Sequence, residues 1–295
     1  MTAPDAGGPV LAGVDGGASS ADALVLAGWA ARTLDVPLVV AAVHPAPSAI
    51  GSGRVDAEWV SSRRDAAEQA LDEARAFLAE TGPLRAEYRV VASSSAAHGL
   101  HDLAEQSRAA LIVVGSGAAG PDSRTFAGST AERLLAGSVC PVAVAPAGMP
   151  EPPGSLGRIG VAYVDTPDGR AALATAADLA RRTATPLMLI TVVARGDAAR
   201  PFLLGSDAER AFLDTARESY EEALRKAAAS VAGVEVGWDL RSGDVVETLA
   251  DLADVDVLFC GSRGYGPARR VLLGGVSARL VRRARRPVVV VPRAA

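Results

Sequence analysis

Short apolar runs alternate along this chain with longer stretches in which apolar residues recur at helical spacing. In the first half the runs read "VLAGV", "PLVVAAV", "AEYRVV", "ALIVVG" and "PVAVAP"; in the second they read "RIGVAYV", "PLMLITVV", "VEVGWDL", "VDVLFCG" and "PVVVVP". Nearly continuous apolar strands separated by helices imply parallel pairing with both sheet faces covered. The intervening helices are well marked. Ala67, Ala70, Leu71, Ala74 and Leu78 form one stripe, which Gly82 and Pro83 stop. Ser206 and Glu209 have capping-box spacing ahead of a stripe through Leu213, Ala216, Tyr220, Ala223, Leu224 and Ala227. Thr166 and Pro167 read as the cap and first-turn pair of another helix.

The pattern occurs twice. One common offset lays Leu24 on Leu173, Pro37 on Pro186 and Val43 on Val192, and a slightly smaller one lays Gly115 on Gly261 and Pro141 on Pro287. Two copies of five strands and four helices, with right-handed crossovers, predict two tandem doubly wound α/β domains. Each is expected as a five-stranded parallel sheet of order 3-2-1-4-5 with helices on both faces. The expected boundaries are 1–146 for the first domain and 158–295 for the second, joined by a Pro- and Gly-rich linker over 147–157.

Composition narrows the function. The 295 residues are 49% hydrophobic and 22% charged, an ordinary globular balance. A net charge of -4 argues against nucleic acid as a partner, which needs excess Lys and Arg. The one basic run, Arg282 to Arg286, falls where the last helix should end, where cations suit the helix dipole. There is no signal-like start and no run near the roughly 20 residues of a membrane span, so a cytoplasmic protein without a membrane partner is expected. Cys140 and Cys260 have no Cys or His neighbours at metal spacing and read as buried, reduced thiols.

The candidate chemistry lies in two glycine loops that follow the fourth strand of each copy, "GSGAAGPDSRTFAGSTAERL" from Gly115 and "GSRGYGPARRVLLGGVSARL" from Gly261. In an open parallel sheet, ligands bind at the carboxyl ends of the strands where strand order reverses, here between strands one and four. A strand-end glycine allows close backbone approach, and the N–H groups of the next helix start can bind phosphate oxygens. Ser129 and Thr130 would add hydroxyl donors. Other chemistries fit less well. "GSGAAG" matches a dinucleotide fingerprint but follows the wrong strand. The single lysine, Lys226, has no phosphate-loop spacing, and no nucleophile elbow or zinc spacing occurs. His98 and His101 read as a solvated helix face, while His44 lies near the end of strand two.

The pattern G-x2-G-x9-G-[S/T], with a "GVDGG" turn after the first strand, resembles the universal stress protein family, and the whole chain resembles its tandem two-domain form. The resemblance implies cytoplasmic proteins, commonly dimeric through the last strand, some of which bind adenine nucleotides. It implies ATP, with or without Mg, as the ligand. Carried over by position, Asp15 would contact the base or ribose and Val43 would read the adenine edge, while Gly115, Ala118, Gly128, Ser129 and Thr130 form the phosphate loop. Alanine stands at 118 where the family has its second glycine. In the second copy Val192 matches Val43, and Gly261, Gly264 and Gly274 match all three glycines. There Gly275 replaces the hydroxyl residue, Ser277 follows two positions later, and Val164 rather than Asp165 aligns with Asp15. The first copy is therefore expected to be the better nucleotide site.

Three readings stay open: an adenine-nucleotide binder acting in sensing or interaction, a ligand-free interaction protein of the same fold, and a slow ATP hydrolase. No base or carboxylate pair converges on the loop in sequence, so binding is better supported than turnover. The last strands, "PVAVAP" and "PVVVVP", are apolar edges that need covering. Pairing them with each other would make one chain a pseudo-dimer, and a homodimer through the same strands is the further expectation.

Overall fold

The computed structural model describes residues 7–46, 57–116, 129–149, 155–194, 206–262 and 275–292. In the first copy the order is β1 (Val10–Val14), α1 (Ala18–Leu34), β2 (Leu38–Pro45), α2 (Ala57–Glu80), β3 (Ala86–Ser93), α3 (Ala96–Ser107), β4 (Leu111–Gly115), α4 (Ser129–Gly137) and β5 (Val142–Ala145). The second copy repeats it as β6 (Ile159–Ala162), α5 (Pro167–Thr183), β7 (Leu187–Ala194), α6 (Ser206–Ser230), β8 (Val236–Gly243), α7 (Val245–Ala250), β9 (Val257–Gly261), α8 (Gly275–Arg283) and β10 (Val288–Val291).

The chain divides into two compact units, one of Met1–Gly154 with Pro287–Pro292 and one of Ser155–Arg286 with the last three residues. In the first unit the strand order is β3-β2-β1-β4-β5-β10. The first five strands are mutually parallel; β10 joins antiparallel, with Val289 opposite Ala143. The last strands of the two copies therefore do pair with each other. β5 is bonded to β4 on one side and β10 on the other, which leaves no β5 edge for a second chain. In the second unit β9, β6, β7 and β8 lie in that order, all parallel.

The central strands are buried on both faces because helices cover both: Val10, Leu11, Ala12, Ile112 and Val113 are fully inaccessible. The stripe from Ala67 to Leu78 is buried as its spacing predicts, and Gly82 ends the turn after α2 with φ 99, a conformation that favours glycine. Of the corresponding stripe on α6, Leu224 and Ala227 are buried, while the side chains of Leu213 and Ala216 fall outside the description, as do those of Ser206 and Glu209. The duplication extends to helix ends. α1 and α5 both close on a left-handed residue that is not glycine, Asp35 (φ 53) and Ala184 (φ 51).

Each end of the linker is tied down within its own unit. Asp22 on α1 accepts from the N–H groups of Gly148 and Met149 at 3.1 and 3.0 Å. Asp256 accepts from those of Gly157 and Arg158 at 2.6 and 3.1 Å. Arg282 and Arg283 occupy the last turn of α8, as the dipole argument expects, and Arg283 and Arg285 lie 3.6 Å from Glu247 and Asp251.

Ile112, fully buried on β4, gives a direct test of the core. Ile112→Ala is expected to lower stability by about 2–5 kcal/mol, seen in urea as a lower midpoint with an unchanged slope. A loss well below that range would mean that β4 is not the centre of a close-packed sheet.

Candidate functional site

In the first copy, the chain leaves β1 at Val14 and turns through Asp15, Gly16 and Gly17 into α1. Gly16 has φ 76, so the turn needs a residue without a side-chain penalty there. Asp15 is exposed, and its Oδ1 accepts from Gly17 N–H and from the Ser20 hydroxyl, both at 2.9 Å. Ser20 Oγ in turn accepts from Asp15 N–H at 3.0 Å. One carboxylate oxygen is thus used to hold the turn, while Oδ2 has no hydrogen bond among the described residues.

Helix α1 begins without the usual complement. Its cap is Gly17, which supplies no side-chain acceptor, and no acidic residue stands in the first turn. The N–H groups of Ala18 and Ser19 donate to nothing among the described residues. This open helix start is pressed against the end of β4. A Cβ on Gly115 would lie 2.4 Å from the Ser19 carbonyl oxygen and 2.6 Å from Ser19 Cβ, so only glycine permits the approach.

Strand register gathers the remaining candidates at the same edge. Val14 pairs with Ala42, so Asp15 follows the end of β1 beside Val43 of β2. Ala12 pairs with Val113, which brings Gly115 to the same carboxyl end from β4. Val43 is half-buried opposite Val91, and His44 Nδ1 lies 3.1 Å from Pro45 O. Ala118 and Gly128 lie outside the described residues. Ser129 and Thr130 open α4, so their backbone forms a second helix start after the loop. His98 pairs with Asp102 at 3.4 Å on an exposed face of α3, as a solvated pair would.

The second copy keeps the packing and changes the chemistry. A Cβ on Gly261 would lie 2.8 Å from Asp168 Cβ, the counterpart of the Gly115–Ser19 contact. Thr166 caps α5 by accepting from Gly169 N–H at 3.1 Å, and Pro167 follows in the first turn as its sequence predicts. Asp165, one step beyond the position of Asp15, is bound by Arg170 Nη1 and accepts from the Tyr163 hydroxyl at 3.3 Å. Burial first, then the charge and hydrogen bond of Asp165, push the Tyr163 hydroxyl up to about 12, against the opposing effect of Arg170.

Ser277, a candidate phosphate donor, instead donates its buried hydroxyl to the Gly261 carbonyl at 3.1 Å. Val192 is buried rather than lining an open edge. The cavity left between β6 and β9, bounded by Val164, Thr166, Gly169, Cys260, Gly261 and Ser277, has a volume of about 30 Å³. Among the described residues that leaves room for water-sized occupants. Gly264 and Gly274 lie outside the described residues. Both cysteines are buried, as expected, and burial raises the Cys140 thiol to about 11 and the Cys260 thiol to about 12.

Two residues with a part in this contrast carry no motif. Asp168 and Tyr163 become visible only when the copies are laid over each other, which puts Asp168 on Ser19 and Tyr163 on Val14. Among the described residues, no group of three or more His, Cys, Asp or Glu gathers as a metal site would. No described helix is long and apolar enough to cross a membrane.

Comparison with known proteins places this geometry. Residues 8–146 and 156–292 each match the model of the universal stress protein family. A universal stress protein of Mycobacterium tuberculosis is 30% identical over 292 residues, covering 96% of this chain and 99% of its own. A counterpart in Mycobacterium bovis matches to the same extent. Among solved structures, a universal stress protein from Archaeoglobus fulgidus has a TM-score of 0.65 at 21% identity and covers 97% of each chain. A putative one from Pseudomonas aeruginosa has a TM-score of 0.63 at 16% identity, covering 96% of this chain and 92% of its own. These two structural likenesses speak to the fold.

The glycine contacts predict that Gly115→Ala destabilises the fold by about 1–3 kcal/mol through overpacking alone, in the absence of any ligand. Chemical unfolding of the purified chain measures this; an unchanged midpoint would mean that Gly115 is not a packing glycine. Tyr163 supplies a pH test. Its folded value, about 12, exceeds the ordinary 10.0, so its contribution to stability is complete below pH 10 and lost between pH 10 and about 12. Tyr163→Phe should flatten that part of the stability profile, and an identical alkaline limb in both proteins would contradict the assignment.

Proposed function

We propose that this chain, which belongs to the universal stress protein family, binds an adenine nucleotide in the crevice between β1 and β4 of its first copy. The observation that carries the reading is the start of α1, where the unbonded N–H groups of Ala18 and Ser19 are held against Gly115. A helix start with no side-chain cap and no acid in its first turn leaves N–H groups that an anion can take. A second helix start, α4 at Ser129 and Thr130 with Glu132 in its first turn, follows the loop that contains Ala118 and Gly128. Between them they would hold the phosphates of ATP, with or without Mg. Asp15 Oδ2 would accept from a ribose hydroxyl or the base, and the backbone at Val43 would meet the adenine edge.

The role that fits such a site is nucleotide sensing by a protein of the cytoplasm, with the bound state read by interaction partners rather than by turnover. Asp15 Oδ1 is already engaged by two donors. The small space at the second crevice, with Asp165 and Ser277 bonded within the chain, favours a ligand-free reading for that copy. With β5 paired on both sides, association of two chains would need another surface.

Thermal unfolding with and without millimolar Mg-ATP tests the reading. Ligand at about 1,000 times its dissociation constant adds roughly 4 kcal/mol, and a chain of this size shifts by about 2–4 °C per kcal/mol. Asp15→Ala is expected to reduce the shift sharply while leaving the unliganded midpoint within about 1 kcal/mol of the parent. No shift in the parent chain, with intact folding and no co-purified nucleotide, would reject nucleotide binding and leave the interaction-protein reading.

A further inference from the structure

The two copies place different residues at one matched point. Ser19 and Asp168 both seat a helix start on the glycine that ends the fourth strand of their copy, at 2.6 and 2.8 Å from where its Cβ would lie. At α1 nothing acidic follows the cap; at α5 the acidic residue of the first turn is Asp168 itself. Asp168 is 6% exposed, and its carboxylate accepts from Ser262 Oγ at 3.4 Å.

Fewer donors are free here than at α1, with only the N–H of Asp168 itself left without an acceptor among the described residues. Pro167 has no N–H, Gly169 N–H is taken by Thr166 Oγ1, and Arg170 N–H by the Thr166 carbonyl. A carboxylate is favoured at a helix start for the same reason that a phosphate is. Once it is there and buried, a second anion would lose its water beside a like charge with few donors to replace it. The remaining space, about 30 Å³, and the inward hydrogen bond of Ser277 agree with a crevice completed from within.

We propose that Asp168 is the specificity-determining residue of the second copy: a built-in anion at the start of α5 that excludes nucleotide phosphates and limits the chain to one bound nucleotide. The proposal rests on the nucleotide reading of the first copy, in which Ser19 leaves the matched helix start open. It implies that neutral substitution at 168, and not only enlargement of the cavity, governs entry of an anion.

Equilibrium dialysis of the full chain against radiolabelled Mg-ATP tests it, with Asp168→Ser, Asp168→Asn and the double variant Asp15→Ala with Asp168→Ser. The expected result is one nucleotide per parent chain and a second, weaker equivalent in Asp168→Ser. The double variant should retain only that second equivalent. Asp168→Asn, which keeps the volume and removes the charge, carries the test if Asp168→Ser does not fold. Folded Asp168 variants that still bind one equivalent would overturn the proposal, and so would two equivalents in the parent, although the latter leaves the first-copy reading standing. Binding by the Asp168 variants but not by the parent would reject the first-copy site and support the role of Asp168. No binding by any of them would overturn both.

Discussion

A helix start held directly on a strand end is the constraint on which this architecture turns. Gly115 and Gly261 end β4 and β9, and each leaves room for only the backbone and Cβ of the residue that opens the first helix of its copy. With any side chain at these positions, α1 or α5 would have to retreat from the sheet. The crevice at the strand ends would then change shape, and the helix N–H groups would no longer face it. The glycines therefore act through packing first. Any binding they support follows from where they put the helix.

This constraint is shared by both copies, and that is why their chemistry could diverge without loss of the fold. Position is fixed by the glycine; the residue delivered to that position is free to vary. In the first copy it is Ser19, behind a turn whose carboxylate, Asp15, spends one oxygen on its own loop. In the second it is Asp168, behind a threonine cap and a proline, while Asp165 is bound by Arg170 and Tyr163. Each substitution in the second copy replaces something a ligand could have supplied with something the chain supplies itself.

The strands, the helices, the duplication and the mutual pairing of the last strands were legible in the sequence because each is written as a periodic apolar pattern. The stripe from Ala67 to Leu78 and the Thr166–Pro167 start are examples, and both are found as read. The site was legible only as a set of positions. Ser277 has the right chemistry two places late, and its hydroxyl turns inward to Gly261. The glycines suggested contact with phosphate, yet Gly115 and Gly261 are required by a helix that comes from a distant part of the chain. No local pattern reports such a contact. Asp168 was passed over for the same reason: in its own copy it is an ordinary first-turn acid, and it becomes informative only beside Ser19.

The two helix starts illustrate a general exchange between stability and binding. A threonine cap such as Thr166 is worth a few tenths of a kcal/mol over a glycine cap such as Gly17, and a first-turn carboxylate adds about 0.3–1 kcal/mol. The first copy forgoes both terms at α1. A helix start left open in this way costs stability in the free protein and returns it when an anion arrives, which couples occupancy of the crevice to the order of β1, α1 and β4. The second copy is stabilised whether or not a ligand is present and has nothing comparable to gain. On the proposed reading, a chain with one copy of each kind would register a nucleotide in one domain while the other, already complete, keeps its fold independent of that signal.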